Sequence, residues 1–229
     1  MGLFTPAIRQ YLKDVAGRTR GRLLDVGCGE TPYRDLFTGV TTYIGVDRPS
    51  TVDATRPNMN GRSRAIDVEG SADAFPFAAG TFDAVLATQL IEHLAQPEVF
   101  FAEAARVLRP GGSLILTFPH VNPVHEAPYD FFRYTEFGVR QLCRSHGLQV
   151  TETKPMGGGW GMIGYMVRHM LWQDATDPAR GRLARARAWH LGQFIHRICS
   201  RLDRRGAHPE CTLNYLVVAR REGTLDAGR

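Results

Sequence analysis

Glycines and carboxylates stand together at the ends of two apolar runs, a combination that suits a nucleotide-like ligand. Residues 23–29 read Leu-Leu-Asp-Val-Gly-Cys-Gly, which predicts a buried strand running into a glycine turn. Gly27 and Gly29 let the backbone turn sharply and approach a ligand closely. A second β-like run ends at Asp47, eighteen residues after Gly29. A carboxylate there can accept hydrogen bonds from both hydroxyls of a ribose.

The turn differs from the dinucleotide fingerprint at its third position. The spacing reads Gly27-x-Gly29-x-x-Pro32, so proline stands where the fingerprint has glycine. Pro32 suits the first turn of a helix, which we predict over residues 31–38. A strand, a glycine turn and a helix N-terminus form a ligand-binding corner. Because Pro32 counts against NAD or FAD, a nicotinamide-dependent oxidoreductase is the less favoured interpretation.

Five motifs follow the glycine turn in a fixed order: Tyr-Ile-Gly-Val-Asp at 43–47, Phe-Pro-Phe at 75–77, Gly-Thr-Phe-Asp-Ala-Val at 80–85, Ile-Glu-His-Leu at 91–94 and Arg-Val-Leu-Arg-Pro-Gly-Gly at 106–112. With these motifs the chain resembles the class I S-adenosylmethionine-dependent methyltransferases, and among them the type 11-like group. The resemblance covers residues 20–155 and a last strand at 211–221. It implies S-adenosyl-L-methionine as cofactor and a Rossmann-like α/β fold, with a doubly wound, mainly parallel sheet of seven strands.

The hydrophobic pattern predicts alternating strands and helices in a single methyltransferase domain over residues 1–229. Predicted strands lie near residues 22–26, 42–47, 63–68, 82–88, 112–118, 148–154 and 212–220. Predicted helices lie near residues 5–17, 31–38, 96–108 and 135–146. Thr135 is an N-cap candidate for the last of these helices, with Phe137, Val139 and Leu142 as its apolar residues. Ligands of such sheets bind at the carboxyl ends of the strands.

Residues 157–206 interrupt this alternation before the last strand. Within them, an almost wholly apolar run over 160–172 is too short to span a bilayer. The run is followed by a predicted helix with apolar residues on one face (Leu191, Ile195, Ile198 and Leu202) and arginines largely elsewhere (Arg187, Arg197, Arg201 and Arg204). We interpret the segment as a helical insertion that packs on its own domain or on the second subunit of a homodimer. A peripheral membrane contact, or a lid over a lipid-like substrate, is the alternative.

The net charge of +5 is concentrated in residues 180–205, which carry eight arginines and one acid. A domain that reads nucleic acid usually spreads its charge over a face with interleaved aromatic residues. We therefore expect a small-molecule substrate and no nucleic acid. The four cysteines form no close pair and no metal-ligand spacing, which favours free thiols and a cytoplasmic location. The pattern shows no transmembrane-length run and no signal peptide.

The resemblance assigns cofactor contacts residue by residue. It implies that Asp25 accepts from the cofactor's ammonium group, that residues 27–29, including Cys28, lie along its methionine part, and that Asp47 binds the ribose. Where the family has an acid for the adenine amino group, this chain has Ser71, so Asp67 or Asp73 can take that role instead. The remaining predicted cofactor residues are Arg48, Ala72, Thr88, Gln89 and His93.

Three polar residues follow the fourth strand. In related quinone O-methyltransferases, a glutamate at the position of Gln89 joins a glutamate and a histidine, such as Glu92 and His93, in holding a divalent ion. Because Gln89 removes one charged ligand, we expect no metal. We expect Glu92 and His93 to cap and hydrogen-bond the loop that shapes the cofactor pocket.

The loop over residues 119–135 follows the fifth strand and is crowded with titratable and aromatic groups. It resembles a loop of methyltransferases linked to surface-glycan or secondary-metabolite pathways. In one interpretation, Asp130 and Arg133 pair to fix the loop. In the other, His125, ahead of His120, removes a proton from the acceptor, while Glu126 or Asp130 orients the imidazole and Arg133 anchors the substrate.

These features predict a methyltransferase that acts on a small molecule. A hydroxyl oxygen is the favoured acceptor, because a histidine base suits a hydroxyl acceptor at neutral pH. Methylation at nitrogen or carbon remains open. A second alternative is a relative of the same fold that binds S-adenosylmethionine without transferring methyl, as a structural partner or as the catalyst of another reaction.

Overall fold

Residues 5–48, 66–203, 208 and 210–223 are described by the computed structural model of this chain. The chain divides into two units. The first comprises Met1–Phe118, Glu126–Lys154 and Leu216–Arg229, and the second comprises Pro119–His125 and Pro155–Tyr215. Most of the insertion predicted over residues 157–206 is therefore part of the second unit, although its residues 204–206 lie outside the described ranges.

A seven-stranded sheet in the order β3-β2-β1-β4-β5-β7-β6 confirms the predicted α/β fold. Its strands are β1 (Gly21–Val26), β2 (Val40–Asp47), β3 (Val68–Glu69), β4 (Phe82–Thr88), β5 (Leu108–Pro119), β6 (Leu148–Met156) and β7 (Asn214–Arg221). The pairs β1–β2, β1–β4, β2–β3 and β4–β5 are all parallel. Of the strand predicted over 63–68, residues 63–65 lie outside the described ranges.

Five α-helices accompany the sheet in the described ranges. They are α1 (Thr5–Arg18), α2 (Pro97–Val107), α3 (Glu136–Ser145), α4 (Gly159–Thr176) and α5 (Arg182–Asp203). Two one-turn 3₁₀ helices, Arg34–Leu36 and Ile91–His93, lie in the first unit. The first three α-helices confirm the predictions over 5–17, 96–108 and 135–146 to within a few residues.

Strand β1 lies inside the sheet, between its parallel neighbours β2 and β4. Leu23, Leu24 and Val26 are buried, as expected for a strand covered on both faces. The register sets Val26 level with Val46 of β2 and Ala87 of β4. The residues that end these three strands therefore lie along one edge of the sheet, the edge at which ligands are expected.

The helix predicted over residues 31–38 is wrong. In this fully described stretch only the 3₁₀ turn Arg34–Leu36 forms. Thr31 has a φ of 50°, in the left-handed region, which interrupts any right-handed helix. Because β2 already begins at Val40, too few residues remain after the turn for a stable α-helix. The ligand corner is thus built from a strand and a glycine turn, without the α-helical N-terminus predicted for it.

Helix α3 begins as predicted, at an N-cap. The Oγ1 atom of Thr135 accepts a hydrogen bond from the backbone N–H of Gly138 at 3.1 Å. Val139 and Cys143 are buried, whereas Phe137 is 72% exposed. Residues 137 and 139 are about 200° apart around a helix, so they cannot share its buried face. The apolar stripe predicted to include Phe137 is therefore only partly correct.

The second unit contains the helical pair α4 and α5, which pack closely at two small residues. A Cβ atom added to Gly164 would lie 2.5 Å from the Cβ of Cys199, so only glycine fits there. Cys199 is buried, whereas Leu191 and Ile198, predicted for the apolar face of this helix, are exposed. Arg204 lies outside the described ranges. No helix in the described part of the chain is long and apolar enough to cross a membrane.

Candidate active site

The glycine turn after β1 leaves open space where a ligand can approach. The backbone N–H of Gly27 donates to the carbonyl of Val46 at 2.9 Å, which fixes the turn against β2. Both glycines are in the left-handed region, with φ of 66° at Gly27 and 51° at Gly29. A Cβ on Gly27 would lie 2.8 Å from a methyl group of Leu90, but a Cβ on Gly29 would meet no atom of the described residues within 4 Å. The open side of the turn is therefore at Gly29.

Asp25 precedes this turn and is buried. The hydroxyl of Tyr43 donates a hydrogen bond of 2.5 Å to its Oδ2 atom, whereas its Oδ1 atom has no partner among the described residues. Burial raises the pKa of Asp25 to about 7, and the hydrogen bond from Tyr43 opposes that rise. A buried carboxyl oxygen without a partner is costly, so it marks a position where a ligand donor is expected.

Asp47 closes the other side of the turn from the end of β2. Its Oδ2 accepts the backbone N–H of Gly29 at 2.8 Å, and its Oδ1 accepts that of Arg48 at 2.7 Å. A carboxylate offers about four lone-pair sites, so both oxygens can accept further donors. Between these residues, Cys28 is buried, and burial raises the pKa of its thiol to about 12, which keeps it protonated.

Ser71, predicted to approach an adenine amino group, is already engaged by Arg48. Two guanidinium nitrogens of Arg48 donate to its hydroxyl at 2.9 and 2.6 Å. Arg48 also lies 3.6 Å from a carboxylate oxygen of Asp73. Asp67 pairs with Arg34 and accepts the backbone N–H of Gly45. Each candidate for the adenine contact thus has a protein partner.

The end of β4 carries two more of the predicted cofactor residues, Thr88 and Gln89, both half-buried. Gln89 has a φ of 50°. Its backbone N–H donates to the carbonyl of Thr117 at 2.8 Å, and its amide nitrogen donates to the hydroxyl of Thr117 at 3.3 Å. These bonds direct Gln89 toward β5. Ala72, an apolar residue of the predicted cofactor set, is buried.

Glu92 is the site residue that the sequence assigned only to loop capping. Its side chain is fully buried, and neither carboxylate oxygen has a hydrogen-bond partner among the described residues. Burial raises the pKa of Glu92 to about 8, which the charge of Arg133 partly opposes. The Nε2 atom of His93 lies 3.8 Å from Oε1 of Glu92. The sequence signal for its burial was its place in the stretch Ile-Glu-His-Leu, where apolar residues stand at both ends.

The 3₁₀ turn Ile91–His93 holds the loop that precedes α3. The backbone N–H groups of Phe131 and Phe132 donate to the carbonyl of Glu92 at 2.9 and 3.3 Å. The Nδ1–H of His93 donates to the carbonyl of Tyr129 at 2.7 Å. This part of the loop is therefore fixed by hydrogen bonds to residues 92 and 93.

The predicted pair of Asp130 and Arg133 is present. Two guanidinium nitrogens of Arg133 donate to both oxygens of Asp130, at 2.6 and 2.7 Å. This bidentate geometry is the strongest form of the ion pair, and it raises the pKa of Arg133. The contacts match the structural interpretation of these residues.

In the second unit, Asn122 contacts the ring of His125. The hydroxyl of Tyr165 donates to Oδ1 of Asn122 at 2.9 Å, so the amide nitrogen of Asn122 faces Nδ1 of His125, at 3.4 Å. The same Nδ1 lies 3.2 Å from the carbonyl of Pro123. The amide nitrogen of Asn122 can only donate, so it bonds Nδ1 in the tautomer that carries its proton on Nε2, whereas the carbonyl of Pro123 accepts from the tautomer that carries its proton on Nδ1. Only in the second tautomer is Nε2 the nitrogen that can accept a proton. The orienting role of Glu126 or Asp130 stays a prediction, and Asn122 is a neighbour of this ring that the sequence did not point to.

His120 is held differently. Its backbone N–H donates to the carbonyl of Leu213 at 2.8 Å, and its ring packs edge-on against Tyr215 with 5.6 Å between centroids. The predicted cofactor residues and the Asp130–Arg133 pair thus belong to the first unit. The two candidate histidines belong to the second unit.

The fold, the ordered motifs and the glycine corner define the class. Residues 24–116 match the family described as a methyltransferase domain. These residues carry a methyltransferase domain of the class I, S-adenosylmethionine-dependent type.

Two curated bacterial relatives and one solved structure are similar to this chain. A probable S-adenosylmethionine-dependent methyltransferase of Mycolicibacterium smegmatis is 30% identical over 164 residues, which cover 68% of this chain and 63% of the relative. The ubiquinone/menaquinone biosynthesis C-methyltransferase UbiE of Roseobacter denitrificans is 34% identical over 146 residues, which cover 58% of this chain and 55% of UbiE. The chain therefore spans less than two thirds of the length of these relatives.

The solved structure shows the fold at low sequence identity. It is phosphoethanolamine N-methyltransferase 2 of Haemonchus contortus in complex with S-adenosyl-L-methionine. The TM-score is 0.58 at 17% identity, and the match covers 94% of this chain and 52% of that one.

Proposed function

We propose that this protein transfers the methyl group of S-adenosylmethionine to a hydroxyl oxygen of a small molecule. The observation that carries the proposal is the Oδ1 atom of buried Asp25, which has no hydrogen-bond partner in the described part of the chain and lies beside the turn at Gly29. The cofactor's ammonium group is a donor of the charge and size that this oxygen requires. The residues present therefore fit the cofactor that the family implies.

Each part of the corner has a separate binding task. The carboxylate of Asp25 holds the ammonium group, and the space at Gly29 admits the methionine part. Asp47, already braced by the backbone of Gly29 and Arg48, accepts from the ribose hydroxyls. When bound, the cofactor supplies an electrophilic methyl group. Holding acceptor and methyl in line can lower the barrier by about 7–11 kcal/mol.

We assign the proton transfer to His125. Its Nδ1–H donates to Pro123, and Nε2 then accepts the proton from the acceptor's hydroxyl. A hydroxyl acceptor requires a base, whereas an amine acceptor needs a base less. The assignment of His125 as the base is therefore consistent with the choice of a hydroxyl acceptor. The relatives named as C- and N-methyltransferases carry out the alternatives. A secondary-metabolite or surface-glycan pathway is our proposal for the acceptor, from the resemblance of the 119–135 loop to that of methyltransferases linked to such pathways.

The test is a panel of small acceptors with matched hydroxyl, amine and carbon nucleophiles. S-adenosylhomocysteine release and acceptor mass are measured together, with Asp47→Ala as the control that weakens cofactor binding. Methylated hydroxyl products support the proposal. Methylated amines or carbons overturn the choice of oxygen, and cofactor binding without turnover on any acceptor points to the non-methylating alternative.

A further inference from the structure

Helix α5 presents a mixed arginine and apolar stripe to solvent. Six exposed residues follow one another at spacings of three or four positions, which places them on one face of the helix: Leu183, Arg187, Leu191, Phe194, Ile198 and Arg201. Phe194 is 60% exposed and Leu183 65%. The opposite face carries Gly192 and Cys199, the two buried residues of α5. The stripe therefore faces away from α4.

The charges around this stripe are all of one sign. The sequence from Arg182 to Leu202 contains no acidic residue. The acids nearby are engaged elsewhere, because Asp174 and Asp177 lie against Arg180. Asp203 accepts the backbone N–H groups of Gly158 and Gly161 at the start of α4. The positive charge of the stripe is therefore not neutralised by a carboxylate of its own helical pair.

We propose that this stripe docks the protein on an anionic lipid bilayer surface. An interfacial helix buries its apolar face about 5–10 Å into the boundary between headgroups and acyl chains, while its basic residues contact anionic headgroups. Phe194 and Ile198 supply the inserting groups. The long stems of Arg187 and Arg201 can lie along the apolar surface while their guanidinium groups reach the headgroups.

The chemistry favours a bilayer over the other occupants. A symmetric contact between two copies sets the same patch against itself and brings arginine against arginine. Nucleic acid satisfies the arginines, but phosphates and stacked bases offer little to the aliphatic side chains of Leu183, Leu191 and Ile198. A bilayer satisfies both parts of the stripe. This inference is independent of the methyl acceptor.

The test is flotation of the full chain with vesicles of phosphatidylglycerol and phosphatidylcholine in equal parts, compared with phosphatidylcholine alone. At about 0.1 M salt the Debye length is about 10 Å, so surface charges still act on the protein. Binding to the anionic vesicles alone is expected. Each arginine near such a surface contributes about fivefold in affinity, so removing three of them lowers it by about 100-fold. The charge variant is Arg187→Gln/Arg197→Gln/Arg201→Gln.

A second variant, Phe194→Ser/Ile198→Ser, removes the inserting groups and is expected to lower the vesicle affinity by about tenfold or more. Phe137→Ser is its control, since Phe137 is an exposed apolar residue of the first unit. The charge control removes three exposed arginines of the first unit: Arg140→Gln, Arg144→Gln and Arg220→Gln. Circular dichroism and thermal melting establish that each variant is folded. Both controls are expected to bind vesicles like the parent.

Four outcomes overturn the proposal. The parent chain fails to bind the anionic vesicles, or the control variants lose as much affinity as the stripe variants. Alternatively, the apolar variant binds vesicles normally, which leaves only a non-specific charge effect. Finally, light scattering shows that the stripe variants change the oligomeric state while vesicle binding is unchanged, which assigns the stripe to a second copy of the chain.

Discussion

Tyr43 donates a 2.5 Å hydrogen bond to Oδ2 of Asp25, and within the described residues this carboxyl group receives no other. The strand register brings the two together, because Asp25 of β1 lies level with Gly45 of β2, two residues beyond Tyr43. The hydroxyl therefore stabilises one carboxyl oxygen and leaves the other for a ligand. The protonation state of Asp25 then controls how well that ligand binds.

The first prediction concerns the pH dependence of cofactor binding. Burial raises the pKa of Asp25 to about 7, so the group is neutral below that pH and ionised above it. An ammonium group binds the ionised form better, so we expect the affinity for S-adenosylhomocysteine to rise between pH 6 and pH 8. Calorimetry across this range measures it. Asp25→Asn is expected to give a weak and flat profile.

Tyr43→Phe provides the control for this prediction. The hydrogen bond from Tyr43 lowers the pKa of Asp25, so its loss is expected to move the midpoint of the profile to higher pH. A parent profile that does not change from pH 6 to pH 8 would show that Asp25 does not contact the ammonium group.

The second prediction concerns Asp47. Asp47→Ala is expected to weaken cofactor binding by about 1.5–3 kcal/mol, the usual range for hydrogen bonds to a charged group. Asp47→Asn keeps one acceptor oxygen and should lose less. Calorimetry of both variants at one pH gives the comparison. Equal affinities for the parent and Asp47→Ala would contradict the ribose assignment.

The sequence predicted the features that depend on near neighbours in the chain. The strand and glycine turn of residues 23–29, the cap at Thr135 and the pair Asp130–Arg133 are all local, and all are present. The sequence did not predict contacts made by distant residues. Ser71 is engaged by Arg48, twenty-three positions away, and the orientation of Asn122 is set by Tyr165, forty-three positions away.

The third prediction concerns stability and Glu92. Burial raises the pKa of Glu92 to about 8 in the folded chain, whereas it is near 4.3 in an unfolded one. The folded state thus holds the proton more tightly, so this group's contribution to stability is greatest at low pH and is lost as the pH rises through 8. Glu92→Gln should therefore raise the melting temperature at pH 9 relative to the parent, and do so less at pH 5.

Glu98→Gln is the control, because Glu98 is an exposed acid on α2. It should leave the melting temperature nearly unchanged at both pH values. If Glu92→Gln lowers the melting temperature more at pH 9 than at pH 5, the carboxylate has a stabilising partner and the prediction is wrong.

The fourth prediction concerns the ion pair of Asp130 and Arg133. The side chain of Asp130 is 2% exposed and that of Arg133 25%, so the pair is largely withdrawn from water. Arg133→Gln removes the guanidinium group that pairs with both oxygens of Asp130 and should cost about 3 kcal/mol in the free energy of unfolding. Arg180→Gln breaks an exposed pair with Asp174 and should cost at most about 1 kcal/mol. Urea denaturation distinguishes the two.

The last prediction concerns catalysis by His125. His125→Ala is expected to lower kcat by about 10²–10⁴-fold with little change in cofactor affinity, because it removes the proposed base but no cofactor contact. Asn122→Ala should have a smaller effect, since it removes a contact to Nδ1 and leaves the ring in place. His120→Ala is the matched control. Rates are measured under single-turnover conditions on an acceptor that the parent methylates. Near-normal kcat in His125→Ala would remove His125 from the mechanism.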